Sequence, residues 1–532
     1  MAEVERNGLA GLAIALIKDG EQVWSKACGA ASIETGVLLA PEMPFAIMSV
    51  TKTIVSTALM QLRDEGHFHL DDPVNKHLGP VRVQNQWEAE RPVRVRDLMT
   101  HTSGLPVGGL ASSTKLPLAE FVSAYARCER RPGEAIVYAN WGFDVIGVLI
   151  ERLSGMAVGD YLRERVFEPL GMTTALFGNP EPEPTHATGH LRSLMDGKVR
   201  TLPLPDWWTI PATPAGGCWM SVGDLAKFVA AHLSDGGPLL SAETAAEMHR
   251  LHFPQGRSDS GQGLGFRVTR SNGRRLICHG GDGGGFTAFI GAYPEERAGV
   301  VLLINTAGMQ GARSVVGNTA LALLAGEPRR RTSDAAAIPE GVYRSTWWDM
   351  LIEARNLERP TLTATEGLVL ADENAVSTLE LAGEGRFQAE GGIFHGFEVA
   401  VQDGEITGGV YPYTFVREGD LPSGEDIVHE QANMTGVWKG AIRTPVGPLA
   451  VVLEINRTSE ATVSSPFGQN IALENVNAEK GHLEGEFKMS VPGYGELRNF
   501  VRLFSLHGHL AGRVFLCSDA GEVAASVELE RA

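Results

Sequence analysis

Apolar and polar positions change spacing repeatedly along this chain, and each change marks a new kind of element. Leu9-Ala10-Gly11-Leu12-Ala13-Ile14-Ala15-Leu16-Ile17 is apolar throughout and runs into Lys18-Asp19-Gly20, the pattern of a buried strand entering a tight turn. Gln22-Val23-Trp24-Ser25 continues it, so residues 9–47 read as strands joined by short turns. From residue 50 to 65 the period becomes helical: Ile54, Val55, Ala58, Leu59 and Leu62 share one face, and Gly66 supplies a stop. Residues 71–235 alternate helix and loop, with helices expected at 144–153, ending near Gly155, and at 222–233. Residues 264–305 return to strands, 298–304 being wholly apolar, and 315–324 reads as a closing helix. Strands at both ends with helices between them predict one α/β (α+β) unit, an antiparallel sheet flanked by helices whose sheet joins the two ends of the segment.

Gly326-Glu327-Pro328-Arg329-Arg330-Arg331-Thr332-Ser333-Asp334 interrupts every pattern and has the composition of an exposed linker. Beyond it the helical period nearly vanishes, and short alternating runs broken by Gly, Asn and Asp predict antiparallel β structure. Gly341-Val342-Tyr343 and Gly436-Val437-Trp438 open two similar halves, with Pro422-Ser423-Gly424-Glu425-Asp426 shortly before the second. The expected division is therefore 1–327, a linker at 328–338, and two β-barrels at 339–428 and 429–532; one long barrel or a single β-sandwich is the competing arrangement.

Composition narrows the function. The 532 residues are 43% hydrophobic, enough for large cores, and the net charge of −18 repels phosphate backbones, which argues against nucleic acid as a partner. Cys28, Cys128, Cys218, Cys278 and Cys517 are odd in number and include no CxxC, the usage expected of reduced thiols in a cytoplasmic protein. No signal peptide is visible and no apolar run reaches the length of a membrane span.

Three fragments carry chemistry. Ser49-Val50-Thr51-Lys52 lies where the helical period begins, and three-residue spacing puts a hydroxyl and an amine on one helix face. A serine hydroxyl needs a base within hydrogen-bonding reach. Lys52 can be that base if burial or a neighbouring charge lowers its pKa; alternatively, protonated Lys52 stabilises Tyr138 as the phenolate that takes the proton. Ser112-Ser113-Thr114-Lys115 repeats the spacing, but Pro117 disfavours a helix starting there. Ser49 taken alone also fits a plain helix N-cap. Tyr138-Ala139-Asn140 follows the turn Arg131-Pro132-Gly133-Glu134, and Asn140 can orient Lys52 or hold a substrate carbonyl. His279-Gly280-Gly281 lies on a strand whose glycines allow close approach, and the amides of Ser49 and Asp282 form a plausible oxyanion pair. Gly280, Gly281 and Asp282 thus join the substrate-binding candidates. No Gly-Lys-Ser/Thr follows, so a phosphate loop is not supported, and no cofactor is called for.

These fragments resemble the β-lactamase and penicillin-binding-protein superfamily of active-site serine enzymes, in its class C-like branch (peptidase family S12). Leu98-Met99-Thr100-His101-Thr102-Ser103-Gly104-Leu105, Pro169-Leu170-Gly171-Met172, Pro214-Ala215-Gly216-Gly217 and Gly263-Leu264-Gly265-Phe266 extend the likeness over residues 8–325. The resemblance implies a β-lactamase-like domain, Ser49 as acylated nucleophile, Lys52 and Tyr138 as base pair, and His279 where β-lactamases carry a lysine. That substitution argues against penicillins as main substrates, because the lysine helps to bind their carboxylate. The helix that usually precedes the first strand has only about seven residues available here. The layout is most similar to D-aminopeptidases and related enzymes with lipocalin-like tails, in which a loop of the last domain reaches the site; Met489-Ser490-Val491-Pro492-Gly493-Tyr494-Gly495-Glu496 is the counterpart, with an ordinary hairpin turn as the plainer interpretation. The expected activity is hydrolysis of a small amide or peptide, with a family VIII-type carboxylesterase or a weak β-lactamase as the alternative, and a small molecule or short peptide as the partner. Oligomeric state is left open, a homo-oligomer included. Two rivals remain: a metal hydrolase using His67-Phe68-His69-Leu70-Asp71, whose closing histidine is replaced by Asp72, and a non-catalytic binding protein. The expected site holds no metal.

Overall fold

The first apolar run forms β1 (Gly11–Lys18), and the Asp19-Gly20 turn, at φ +53° and +85°, returns the chain as β2 (Glu21–Gly29). Six later strands complete the sheet: β3 (Phe253–Pro254), β4 (Gly261–Gln262), β5 (Arg267–Ser271), β6 (Arg274–Gly283), β7 (Phe286–Tyr293) and β8 (Ala298–Ile304). The order is β2-β1-β8-β7-β6-β5-β4-β3, with neighbours antiparallel. β1 lies against β8, from Leu12↔Ile304 to Lys18↔Ala298, so one sheet does join the two ends of the segment. This is a computed structural model. It describes residues 8–106, 117–178, 185–195, 198–203, 213–255, 259–326, 338–345, 351–356, 360–364, 376–383, 386–390, 394–402, 405–409, 413–419, 435–444, 447–456, 460–466, 468–479, 482–491, 495–506, 509–518 and 521–532.

Four longer helices organise the faces: α1 (Thr51–Asp64), α2 (Asn140–Ser154), α3 (Val222–Leu233) and α4 (Gln310–Leu324). Alternation along β1 splits the interior. Ala13, Ala15 and Ile17 join a core shared with α1, α2 and α3, while Leu12 and Ile14 join a second core on the opposite face, where α4 packs. α2 starts at Asn140 and α4 at Gln310, each about a turn earlier than the apolar period alone indicates. In α4 that first turn includes Gly311 and Ser314, weak helix formers that are buried in the fold. Gly155 ends α2 in the left-handed conformation at φ +73°, as a glycine C-terminal stop should.

The second core continues into the C-terminal region, where Tyr343, Leu362, Phe387 and Phe397 join it. Eight strands, from Gly341–Ser345 to Tyr413–Gly419, pair in chain order and close into a barrel. The barrel grips the β5–β6 turn: Gln388 accepts from the Asn272 amide at 3.0 Å, and Glu398 from the Gly273 amide at 3.2 Å. Asn318 of α4 donates to the His395 carbonyl at 2.7 Å. Nine further strands, from Gly436–Thr444 to Gly521–Arg531, form an antiparallel sheet with its own core around Trp438, Leu453, Leu483 and Leu503. The linker beyond Gly326, residues 1–7, the 112–115 repeat of the serine–lysine spacing and residues 422–426 lie outside the described residues, as do residues 492–494 and the neighbouring side chains of the 489–496 loop.

Candidate active site

The short strand Phe45–Ala46 pairs with Cys218–Met220, and the Ile47 amide donates to the Cys218 carbonyl at 3.0 Å. Met48 then takes φ +47°, a costly conformation for a side chain-bearing residue, and turns the chain into a single 3₁₀ turn, Met48–Val50, that runs on into α1. Ser49 sits in that turn. The N-cap position of α1 belongs to Val50 and no side chain caps the helix, so the Ser49 hydroxyl is not committed to capping. It accepts a hydrogen bond from Lys52 Nζ at 2.9 Å. Lys52 is fully buried and also donates to the Ala215 carbonyl at 2.6 Å. Burial lowers the amine from 10.5 to about 7, with the charge of Asp144 opposing the fall. An amine in that range exchanges its proton near neutral pH, as a general base must.

Tyr138 lies in the loop before α2, its ring centroid 5.0 Å from Lys52 Nζ. Two imidazoles flank it. His101 stacks on the phenol ring at 4.3 Å, and its Nδ1 accepts from the Ala139 amide at 3.2 Å, which places the proton of the neutral ring on Nε2. His101 is held at φ +56° and burial keeps it well below the usual histidine range. His279 of β6 is 6.3 Å from the same ring, and its Nδ1 faces the Gly280 carbonyl at 2.7 Å. A carbonyl only accepts, so Nδ1 carries the proton and Nε2 is the acceptor nitrogen. Burial pushes His279 down to about 3, with Lys52 adding to the effect, so this ring is neutral at ordinary pH.

β6 comes unusually close to the Met48–Val50 turn that carries Ser49. A Cβ added to Gly281 would stand 2.3 Å from the Ile47 carbonyl oxygen, and one on Gly283 2.9 Å from the Met48 side chain. Gly280 and Asp282 alternate to the opposite face, where the Asp282 carboxylate pairs with the buried Arg313 of α4. Only the backbone of Asp282 is therefore directed to the site side. Gly284-Gly285, both at positive φ, make the two-residue turn into β7, so the glycine run is both strand and hairpin. Asn140 opens α2 with its amide oxygen buried and no hydrogen-bond partner among the described residues.

Ser49, Lys52, Tyr138 and His279 are thus neighbours drawn from a helix start, a loop and a strand. Sequence reasoning did not single out His101, although it lies inside a quoted fragment, nor Asp144, Thr213 and Arg313, which show themselves only through partners far along the chain. The His67–Asp71 segment is committed elsewhere: Asp71 pairs with Arg94 and Arg96, and Asp72 with Lys76 and His77. Among the described residues no three histidine, cysteine or carboxylate groups are placed to hold a metal ion. No described helix is long and apolar enough to cross a membrane.

Comparison with known proteins gives the family. The family profile described as Beta-lactamase matches residues 2–326. Penicillin-binding protein 4 of Amycolatopsis lactamdurans is 31% identical over 56% of this chain and 80% of its own length. Protein flp of Staphylococcus aureus (strain COL) is 22% identical over 57% of this chain, and the match spans 61% of flp. Among solved structures, the octameric penicillin-binding protein homologue from Pyrococcus abyssi aligns with a TM-score of 0.53 and 26% identity, covering 78% of this chain and 97% of that one. The chain belongs to the Beta-lactamase family.

Proposed function

We propose that this chain hydrolyses a small amide or short peptide, in the manner of a D-aminopeptidase, through an acyl-enzyme on Ser49. The observation that carries the proposal is the fully buried Lys52 amine, lowered to about 7 and 2.9 Å from the Ser49 hydroxyl. Lys52 and Tyr138 take the Ser49 proton as Oγ attacks the substrate carbonyl carbon. The backbone amides of Ser49 and Asp282 hold the oxyanion, and Asn140 holds a substrate carbonyl. Collapse breaks the bond to the leaving amine, which receives the proton from the same pair; water then attacks the ester and Ser49 recovers its proton. Gly281 lets β6 seat against the turn that carries Ser49, while Gly280 faces the other side of the sheet.

His279 favours amides and peptides over penicillins, because a neutral ring there offers no cation to a substrate carboxylate. In this reading residues 1–327 are the catalytic unit, and the closed barrel within 339–428 and the nine-stranded antiparallel sheet within 429–532 form a tail that restricts access. The thiols Cys28, Cys128, Cys218 and Cys278 are unbridged, as suits the cytoplasm, and the octameric Pyrococcus abyssi homologue supports a homo-oligomer. A panel of D- and L-amino acid p-nitroanilides, p-nitrophenyl esters and nitrocefin tests the substrate class. Turnover of p-nitroanilides is expected to dominate; turnover confined to esters would support the carboxylesterase alternative, and turnover confined to nitrocefin would refute the amide reading in favour of a weak β-lactamase.

A further inference from the structure

Lys52 is also met by a turn whose anchor lies on another helix. Thr213 donates its hydroxyl proton to Asp144 of α2 at 2.6 Å. The Ala215 amide donates to the same Thr213 oxygen at 3.2 Å, and the Gly216 and Gly217 amides close on the Thr213 carbonyl at 2.9 and 2.7 Å. This tight turn presents the Ala215 carbonyl to Lys52 Nζ. One helical turn beyond Asp144, Gly147 clears room for it, since a Cβ there would stand 2.5 Å from Pro214. The segment then continues as Cys218–Met220, paired to the strand that leads into Ser49. Asp144 and Thr213 are both fully buried.

Resting on the reading of Ser49 and Lys52 given above, we propose that Asp144 is a positioning residue for the nucleophile and its base: through Thr213 it anchors the turn that docks the Ala215 carbonyl on the Lys52 amine. A buried carboxylate costs far more than a neutral residue at the same place, so its presence beside an amine asks for a reason beyond packing. Its charge acts on Lys52 as well as its hydrogen bond acting on the turn. The other groups facing Lys52 are Ser49 from the preceding 3₁₀ turn, Tyr138 from the loop before α2, His101, and His279 from β6. Both histidines are neutral at ordinary pH, which leaves Asp144 as the group among these whose charge opposes deprotonation of the amine.

The test uses the full chain and the rate of Ser49 phosphonylation by a fluorophosphonate, followed by intact mass between pH 5 and 9, so no substrate need be known. Wild type is expected to show a limb near pH 7. Asp144→Asn keeps an acceptor for Thr213 but removes the charge, and should move that limb about one pH unit lower. Thr213→Val keeps the charge but loosens the turn, and should leave the limb in place while lowering the plateau rate about tenfold, with Thr213→Ser restoring it. A purely structural role would lower thermal stability without moving the limb. An unmoved limb in Asp144→Asn, or a wild-type plateau in Thr213→Val, overturns the proposal; if Asp144→Asn does not fold, the Thr213 pair decides alone. Failure of wild-type Ser49 to be labelled would refute the underlying serine mechanism, which the variants' behaviour by itself would not.

Discussion

Replacing Lys52 by methionine should stabilise this protein while abolishing its chemistry, and the size of the effect depends on pH in a calculable way. The fall of the amine from 10.5 to about 7 corresponds to a penalty on the folded state of about 5 kcal/mol at about 1.4 kcal/mol per pH unit. The sign follows from proton counting. Below pH 7 both states hold the proton and the whole penalty applies. Between 7 and 10.5 the unfolded chain binds it and the folded chain does not, so wild-type stability rises with pH until the penalty is gone. Lys52→Met removes the ionisable group and leaves the Ala215 carbonyl and the Ser49 hydroxyl without their donor, which costs about 1–3 kcal/mol. The variant should therefore gain about 3 kcal/mol over wild type at pH 6 and about nothing near pH 9. Urea unfolding of both proteins at the two pH values, followed by tryptophan fluorescence, measures this. Other titrating groups are common to both chains and cancel in the comparison. A stability difference that does not change between pH 6 and 9, or that favours wild type more at pH 6, would refute the claim that burial holds this amine near neutrality.

Three further outcomes follow from the same geometry. Ser49→Ala should remove all turnover and all fluorophosphonate labelling, measured by product release and intact mass, whereas Ser112→Ala should retain both. Gly281→Ala drives a methyl group to 2.3 Å from the Ile47 carbonyl, a backbone atom that cannot step aside; it should cost about 1–3 kcal/mol of stability by urea unfolding and lower kcat about a hundredfold. Tyr138→Phe keeps the ring that stacks on His101 but loses the phenol, so melting should change little while kcat falls by about 10²–10⁴.

The elements that could be read from the sequence are those whose information is local. The period of Ile54, Val55, Ala58, Leu59 and Leu62 gives α1, and its start fixes Ser49 and Lys52 one turn apart before any tertiary contact exists. The apolar runs of β1 and β8 identify buried strands, and the strand–helix–strand order brings them side by side. The first turns of α2 and α4 escaped because Asn140, Gly142 and Gly311 weaken the local signal, and packing rather than propensity makes them helical. His101 escaped because stacking on Tyr138 depends on two loops meeting, with a positive φ at His101 that its residue type does not announce.

Asp144 and Thr213 show why the remainder was hidden. To any periodicity Asp144 is a polar residue within a helix, and Thr213 an ordinary loop residue 69 positions away. Their meaning arises only when α2 packs on α1 and the intervening chain returns to cover the Lys52 amine. The same packing changes what Lys52 is. On a solvated helix it would be an ammonium ion some three pH units from usefulness at neutral pH; enclosed, with Ala215 and Ser49 as its acceptors and a carboxylate whose charge opposes complete loss of the proton, it comes near neutrality, as the proposed base must. Burial alone would push the amine further down, and a direct ion pair with Asp144 would pull it back up. Asp144, hydrogen-bonded to Thr213, acts on the amine through its charge and opposes the effect of burial. The reactive group is therefore a property of the assembled core, bought with stability that the two large cores around the sheet must supply.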